Sequence, residues 1–140
     1  MTYKDLLALQ VAAANGALAF GYPLTELRAN TSIIGELTCA IETEGTVASK
    51  SNQRGWDVDK PCGAKVSVKT RTTRGPTMKV RASTAHLADE QHIYFAYQID
   101  CRIGIKLVQV VSREEVLASP RKLDSGSEYY FVRMTPGFWK

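Results

Sequence analysis

The sequence predicts a single layered domain of the α/β or α+β class, with helices packed on a β-sheet. Three observations lead there. The first forty residues carry helix-like apolar spacing. The region after Gly63 carries period-two alternation and short strand-prone runs. The chain of 140 residues is long enough for one core and too short for two. Residues 1–140 are therefore read as one domain without linker, repeat or low-complexity tract.

The elements follow in order. Tyr3 to Leu18 is rich in alanine and leucine and reads as a helix, closed by Gly21-Tyr22-Pro23. A second helix is expected to begin near Asn30-Thr31-Ser32, which offer N-cap side chains. It carries Ile33, Ile34, Leu37, Ala40 and Ile41 and stops at Gly45. Trp56 to Asp59 reads as a short strand and Pro61-Cys62-Gly63 as a turn.

From Lys65 to Thr70 the chain alternates, with Val66, Val68 and Thr70 on one side and Lys65, Ser67 and Lys69 on a polar side. Arg74-Gly75-Pro76 turns into a strand over Thr77–Ala82. Ser83-Thr84 is expected to cap a short helix through Ala85–Gln91. The runs Ile93–Ile99 and Gly104–Val111 read as strands covered on both faces. Ser112-Arg113-Glu114-Glu115 has the form of a capping box, and Tyr129–Met134 is a candidate edge strand.

The net charge is +4, and its distribution is uneven. Lys60, Lys65, Lys69, Arg71, Arg74, Lys79 and Arg81 follow one another with no Asp or Glu between them, whereas the remainder is close to balanced. Such a local basic stretch suits a polyanionic partner. The cysteines, Cys39, Cys62 and Cys101, are odd in number and form no CxxC pair, which argues against a zinc site or a disulfide framework. No stretch has the apolar length of a membrane span, and the N-terminus lacks a signal-peptide layout. A soluble cytoplasmic protein is expected.

Chemistry concentrates in three places: Glu36 in the second helix, Asp57 at a strand start, and Ser67-Val68-Lys69 in the next strand. Phosphodiester cleavage with Mg²⁺ needs hard oxygen ligands to hold the metal and a cation to stabilise developing charge. An Asp, a second acid and a Lys gathered together form the smallest such set. Elsewhere, His86 and His92 read as surface or core histidines, Trp56 as core or cleft wall, and Phe138 with Trp139 as a docking plug.

The stretch from about Asn30 to Arg71 resembles the PD-(D/E)XK nuclease superfamily, which includes restriction enzymes, repair nucleases and many phage or mobile-element nucleases. Within it, the chain looks most like small restriction-endonuclease-like proteins. The matching text is Ile34-Gly35-Glu36-Leu37, then Ser51-Asn52-Gln53-Arg54-Gly55-Trp56-Asp57-Val58, then Val66-Ser67-Val68-Lys69-Thr70-Arg71. The resemblance implies a restriction-endonuclease-like fold, a mixed central sheet flanked by helices, and a Mg²⁺- or Mn²⁺-dependent DNA endonuclease. It makes Asp57 the central metal ligand, Lys69 the catalytic lysine and Glu36 the helix-borne acid. Ser67 stands where the pattern has an acidic residue, with the Val68 carbonyl as a further ligand and Glu36 or Asp59 as an acid able to fill the gap. Arg54 and Arg71 would hold phosphates, with Lys65, Arg74, Lys79 and Arg81 completing the basic DNA-binding face.

Two functions follow from this departure. One is an active endonuclease. The other is a catalytically impaired module that binds DNA or a partner protein as a regulator. Many nucleases of the fold dimerise to cut both strands, and analogy suggests a homodimer.

Overall fold

The structure, a computed structural model, describes residues 1–48, 55–73 and 75–134. Helix α1 (Tyr3–Phe20) opens with a capping box between Thr2 and Asp5. A short 3₁₀ turn (Leu24–Glu26) leads into α2 (Arg28–Thr43). Then come β1 (Thr46–Val47), β2 (Val58–Asp59), β3 (Lys65–Arg71), β4 (Thr77–Arg81), α3 (Ala82–Leu87), β5 (Ile93–Ile99), β6 (Ile105–Ser112), α4 (Arg113–Leu117), β7 (Arg121–Asp124) and β8 (Ser127–Arg133).

The fold is α+β, with a mixed central sheet flanked by helices. That sheet has the order β1-β2-β3-β5-β6, and a second, three-stranded sheet has the order β4-β8-β7. Strands β3 and β5 run parallel, and the other pairs are antiparallel. The parallel pair is possible because β4 and α3 form the crossover between them.

Alternation along β3 and β5 divides the core into two faces. Val66, Val68 and Thr70 lie beside Ile93, Phe95 and Tyr97, on the side covered by α2. Ser67 and Lys69 lie beside Tyr94 and Ala96, on the side covered by the small sheet through Met78, Val80, Tyr130 and Val132. The polar side of β3 is thus covered at its middle, where Ser67 is only 5% exposed, while Lys65 and Lys69 on either side are partly exposed. Helix α1 packs on α2 and on the far end of β5 through Ala14, Ile34 and Ile99.

Several sequence expectations shift. Helix α2 starts two residues before Asn30, and the Thr31 hydroxyl bonds back to the Arg28 carbonyl inside the first turn. A β-branched hydroxyl can satisfy a neighbouring carbonyl, so it does not mark a cap by itself. Likewise α3 begins at Ala82 without a side-chain cap, and the Thr84 hydroxyl bonds to the Arg81 carbonyl. Strand β6 is an edge with Val110 47% exposed, not a strand covered on both faces. Strand β8 is the centre of its sheet, not an edge, because β7 pairs with its outer side. The Ser112 capping box is present as expected. Among the described residues no helix is long and apolar enough to cross a membrane.

Gly35 decides how close α2 comes to β3. A methyl there would run into the Thr70 hydroxyl and crowd the Val68 side chain. Alanine is the better helix former by about 1 kcal/mol, but overpacking against a stiff β-branched partner costs about 1–3 kcal/mol. Gly35→Ala should therefore lower stability in urea unfolding, and adding Thr70→Ala should recover part of the loss. A Gly35→Ala protein as stable as the parent would show that α2 does not seat here.

Candidate functional site

The β2–β3 ladder ends where the chemistry begins. Val58 pairs with Val66, and the Asp57 N–H still donates to the Val66 carbonyl at 2.8 Å. Before Asp57 the chain turns away through Gly55, whose φ of 90° suits glycine alone. Side chains then take over from the backbone. The Val68 N–H donates to the Asp57 carboxylate at 2.7 Å, and the Ser67 hydroxyl donates to the Gly55 carbonyl at 2.8 Å.

His92 closes this arrangement. Its Nε2 lies 2.8 Å from the Ser67 hydroxyl oxygen, and the ring is buried at 3% exposure. With the serine proton directed to Gly55, His92 donates from Nε2, which leaves Nδ1 as a buried lone pair without a partner. Burial holds His92 below the ordinary histidine value, and Asp89 and Asp57 oppose that shift. Ser67 is thus tied to two neighbours that fix the approach to Asp57.

Lys69 sits on the same side of β3 as Asp57, between the two sheets. Burial pushes its ammonium below the ordinary lysine value, while Asp57 and then Tyr129 pull it upward and Arg81 pushes it down. Tyr129, on β8, collects cations: Lys79 lies 4.9 Å and Arg81 5.6 Å from its ring centroid, and Arg81 also donates to its hydroxyl at 3.2 Å. The sequence marks Tyr129 only as the first residue of a candidate edge strand. Only the pairing of β8 with β4, which sets Arg81 opposite Tyr129, reveals this role.

Beyond Lys69 a cleft of about 480 Å³ opens between the start of α2, the end of β3 and the start of β4. Arg28, Lys69, Arg71 and Lys79 line it together with hydroxyl side chains, and no carboxylate of the described residues does. Arg71 is held in place by donation to the Gly75 carbonyl at 2.7 Å, and burial lowers it from its ordinary value. Lys79 is paired with Asp124 at 2.7 Å.

The structure thus brings Asp57, Ser67, Val68 and Lys69 together, with Arg71, Lys79 and Arg81 nearby. Lys65 lies further along β3, 3.9 Å from Asp59 and 4.5 Å from the Trp56 ring centroid. Asp59 is engaged there with Lys65. Glu36 stands on α2, which covers the opposite face of β3, directly after the tightly packed Gly35. Arg54 and Arg74 lie outside the described residues, as do Phe138 and Trp139. His86 bonds the Tyr130 hydroxyl at 2.7 Å, on the small sheet.

Among the described residues no three His, Cys, Asp or Glu side chains gather into a metal cage. Mg²⁺ does not need one. It is commonly held by one or two carboxylates, with water and substrate phosphate filling the shell. Asp57 is a carboxylate of the required hardness and the Val68 carbonyl is an oxygen donor of the same kind, whereas Glu36 stands on the helix over the other face of β3.

No protein-family model matches the chain. The chain is similar to a protein of Bacillus subtilis (strain 168) described as Uncharacterized protein YnaC, with 35% identity over 105 residues. That match takes in 75% of this chain and 37% of that protein, so the chain spans well under half of its relative's length.

The buried His92 has a consequence for pH dependence. Its folded-state pKa is lowered from 6.5, so the unfolded chain takes up this proton first as pH falls. The stability due to neutral His92 is complete above pH 6.5 and is lost as pH drops towards the folded-state value. Urea midpoints should decline over that range, and His92→Gln should flatten this part of the decline. An unchanged profile in His92→Gln would place the titrating group elsewhere.

Proposed function

We propose that this chain is a Mg²⁺- or Mn²⁺-dependent DNA endonuclease domain of the PD-(D/E)XK type. The observation that carries the reading is a cation-lined cleft with Lys69 in its wall, next to an Asp57 carboxylate that the Val68 N–H holds against the same strand. A carboxylate fixed on β3 and an ammonium that partial burial lowers are costly to place together for stability alone. They are the groups that phosphodiester hydrolysis requires.

In this reading Asp57 would be the principal metal ligand with the Val68 carbonyl beside it, and Glu36 would complete the shell by reaching past the edge of β3 from α2. The bound metal supplies Lewis-acid polarisation of the phosphate and a more acidic water. The Val68 N–H fixes the Asp57 carboxylate, so its orientation is set before substrate arrives. Lys69 stabilises negative charge developing on the phosphate. Arg71 holds a neighbouring backbone phosphate from its anchored position on Gly75. A homodimer, by analogy with nucleases that cut both strands, is part of the same proposal.

A second reading rests on Ser67. Its hydroxyl is occupied by Gly55 and His92, at the position where the pattern has an acid. A chain lacking that ligand would bind DNA or a partner protein through the same basic face without turnover, as a regulator.

Plasmid cleavage separates the two. The active reading expects nicking with Mg²⁺ or Mn²⁺, reduced about 100-fold or more in both Asp57→Ala and Lys69→Ala. Salt-sensitive DNA binding without cutting, with cutting gained in Ser67→Glu, would favour the impaired module. No cutting and no DNA binding at low salt would sink both.

A further inference from the structure

Arg28 belongs to none of the motifs that point to Asp57 and Lys69, yet it lines the same cleft. What sets this cleft apart is its lining, cations and hydroxyl side chains with no carboxylate of the described residues. Lys65 has Asp59, Lys79 has Asp124 and Arg121 has Glu128 within ion-pair distance. Arg28 and Arg71 have no such carboxylate among the described residues, and they line one cleft with Lys69, to whose walls no described carboxylate contributes. Gathering like charges without counter-ions opposes folding, so such a cluster marks a place where an anion completes the set.

Two further features suit a phosphate. Arg71 is held by the Gly75 carbonyl, which leaves its planar fork preorganised. The start of α2 has no side-chain cap, and the first helical bond is made by the Thr31 N–H to the Leu27 carbonyl. The N–H groups ahead of it add positive potential at the end of the cleft that Arg28 and Ser32 line.

We infer that this cleft is a binding subsite for a backbone phosphate of DNA, with Arg28 and Arg71 as its two clamps and Ser32 as a hydroxyl donor. The inference rests on the nuclease reading for the identity of the strand. It extends that reading by placing a phosphate next to Lys69, on the α2 side of the cleft. Arg28 is then a positioning residue that contacts the strand away from the bond being cut.

The test uses the full chain with a fluorescently labelled DNA duplex in EDTA, where no cutting occurs, and reads affinity as salt is varied. Arg28→Ala and Arg71→Ala should each weaken binding about tenfold and reduce the salt slope by about one. Arg28→Lys, which keeps the charge, should keep the slope while losing part of the affinity. Arg102→Ala, at an exposed turn far along the chain, should change neither. An Arg28→Ala protein that matches Arg102→Ala in both readouts overturns the inference. So does tight binding of inorganic phosphate that depends on Arg28 while DNA binding does not, because the cleft would then serve a free anion. Absence of plasmid cleavage in the parent would remove the nuclease reading and leave the slope measurement to decide the subsite.

Discussion

The bond from the Val68 N–H to the Asp57 carboxylate is the constraint on which the site depends. It occurs where the β2–β3 ladder runs out, so a side chain does the work of a missing backbone partner. Burying the Val68 N–H unpaired would cost about 1–3 kcal/mol, which makes Asp57 part of the fold as well as of the site. The same substitution of side chain for backbone recurs one residue earlier, where Ser67 bonds the Gly55 carbonyl. Together these bonds fix the segment Gly55-Trp56-Asp57 against β3 before any ligand is present.

From that point the architecture follows from the two faces of β3. One face is held against α2 at a distance set by Gly35, and the other lies under the small sheet. Polar groups on the second face are partly shut off from water: Ser67 bonds His92, and burial lowers Lys69 against the pull of Asp57 and Tyr129. The basic run of the sequence splits accordingly. Lys65 and Lys79 are neutralised by nearby acids, while Arg71 and Lys69 turn to the cleft with Arg28. Placement, not the count of positive residues, separates the cations available to an anion from those that brace the fold.

Much of the fold was legible because period-two and helical patterns report burial directly. Lys65–Thr70 and Ile93–Ile99 were found to within a residue, and the Ser112 capping box marked α4. Misplaced helix starts came from Thr31 and Thr84, whose hydroxyls bond carbonyls behind them instead of capping. Strand β7 escaped because Arg121, Lys122 and Leu123 are all exposed and show no alternation. At the site, Asp57 and Lys69 were readable as neighbours from one hairpin. His92, Arg28 and Tyr129 were not, since each arrives from a distant element and carries no local signature. The parallel β3–β5 pairing brings in His92, and the β4–β8 pairing brings in Tyr129.

The central claim is that Asp57, fixed on Val68 beside Lys69, is the anchor of a divalent-metal site. Titration with Mn²⁺ under ¹⁵N NMR tests this without any need for turnover. The account expects selective broadening of the amide signals of Trp56, Asp57, Val68 and Lys69, with Val116 on α4 unaffected, and loss of the effect in Asp57→Asn. Broadening that persists in Asp57→Asn, or no selective broadening at all, would contradict it.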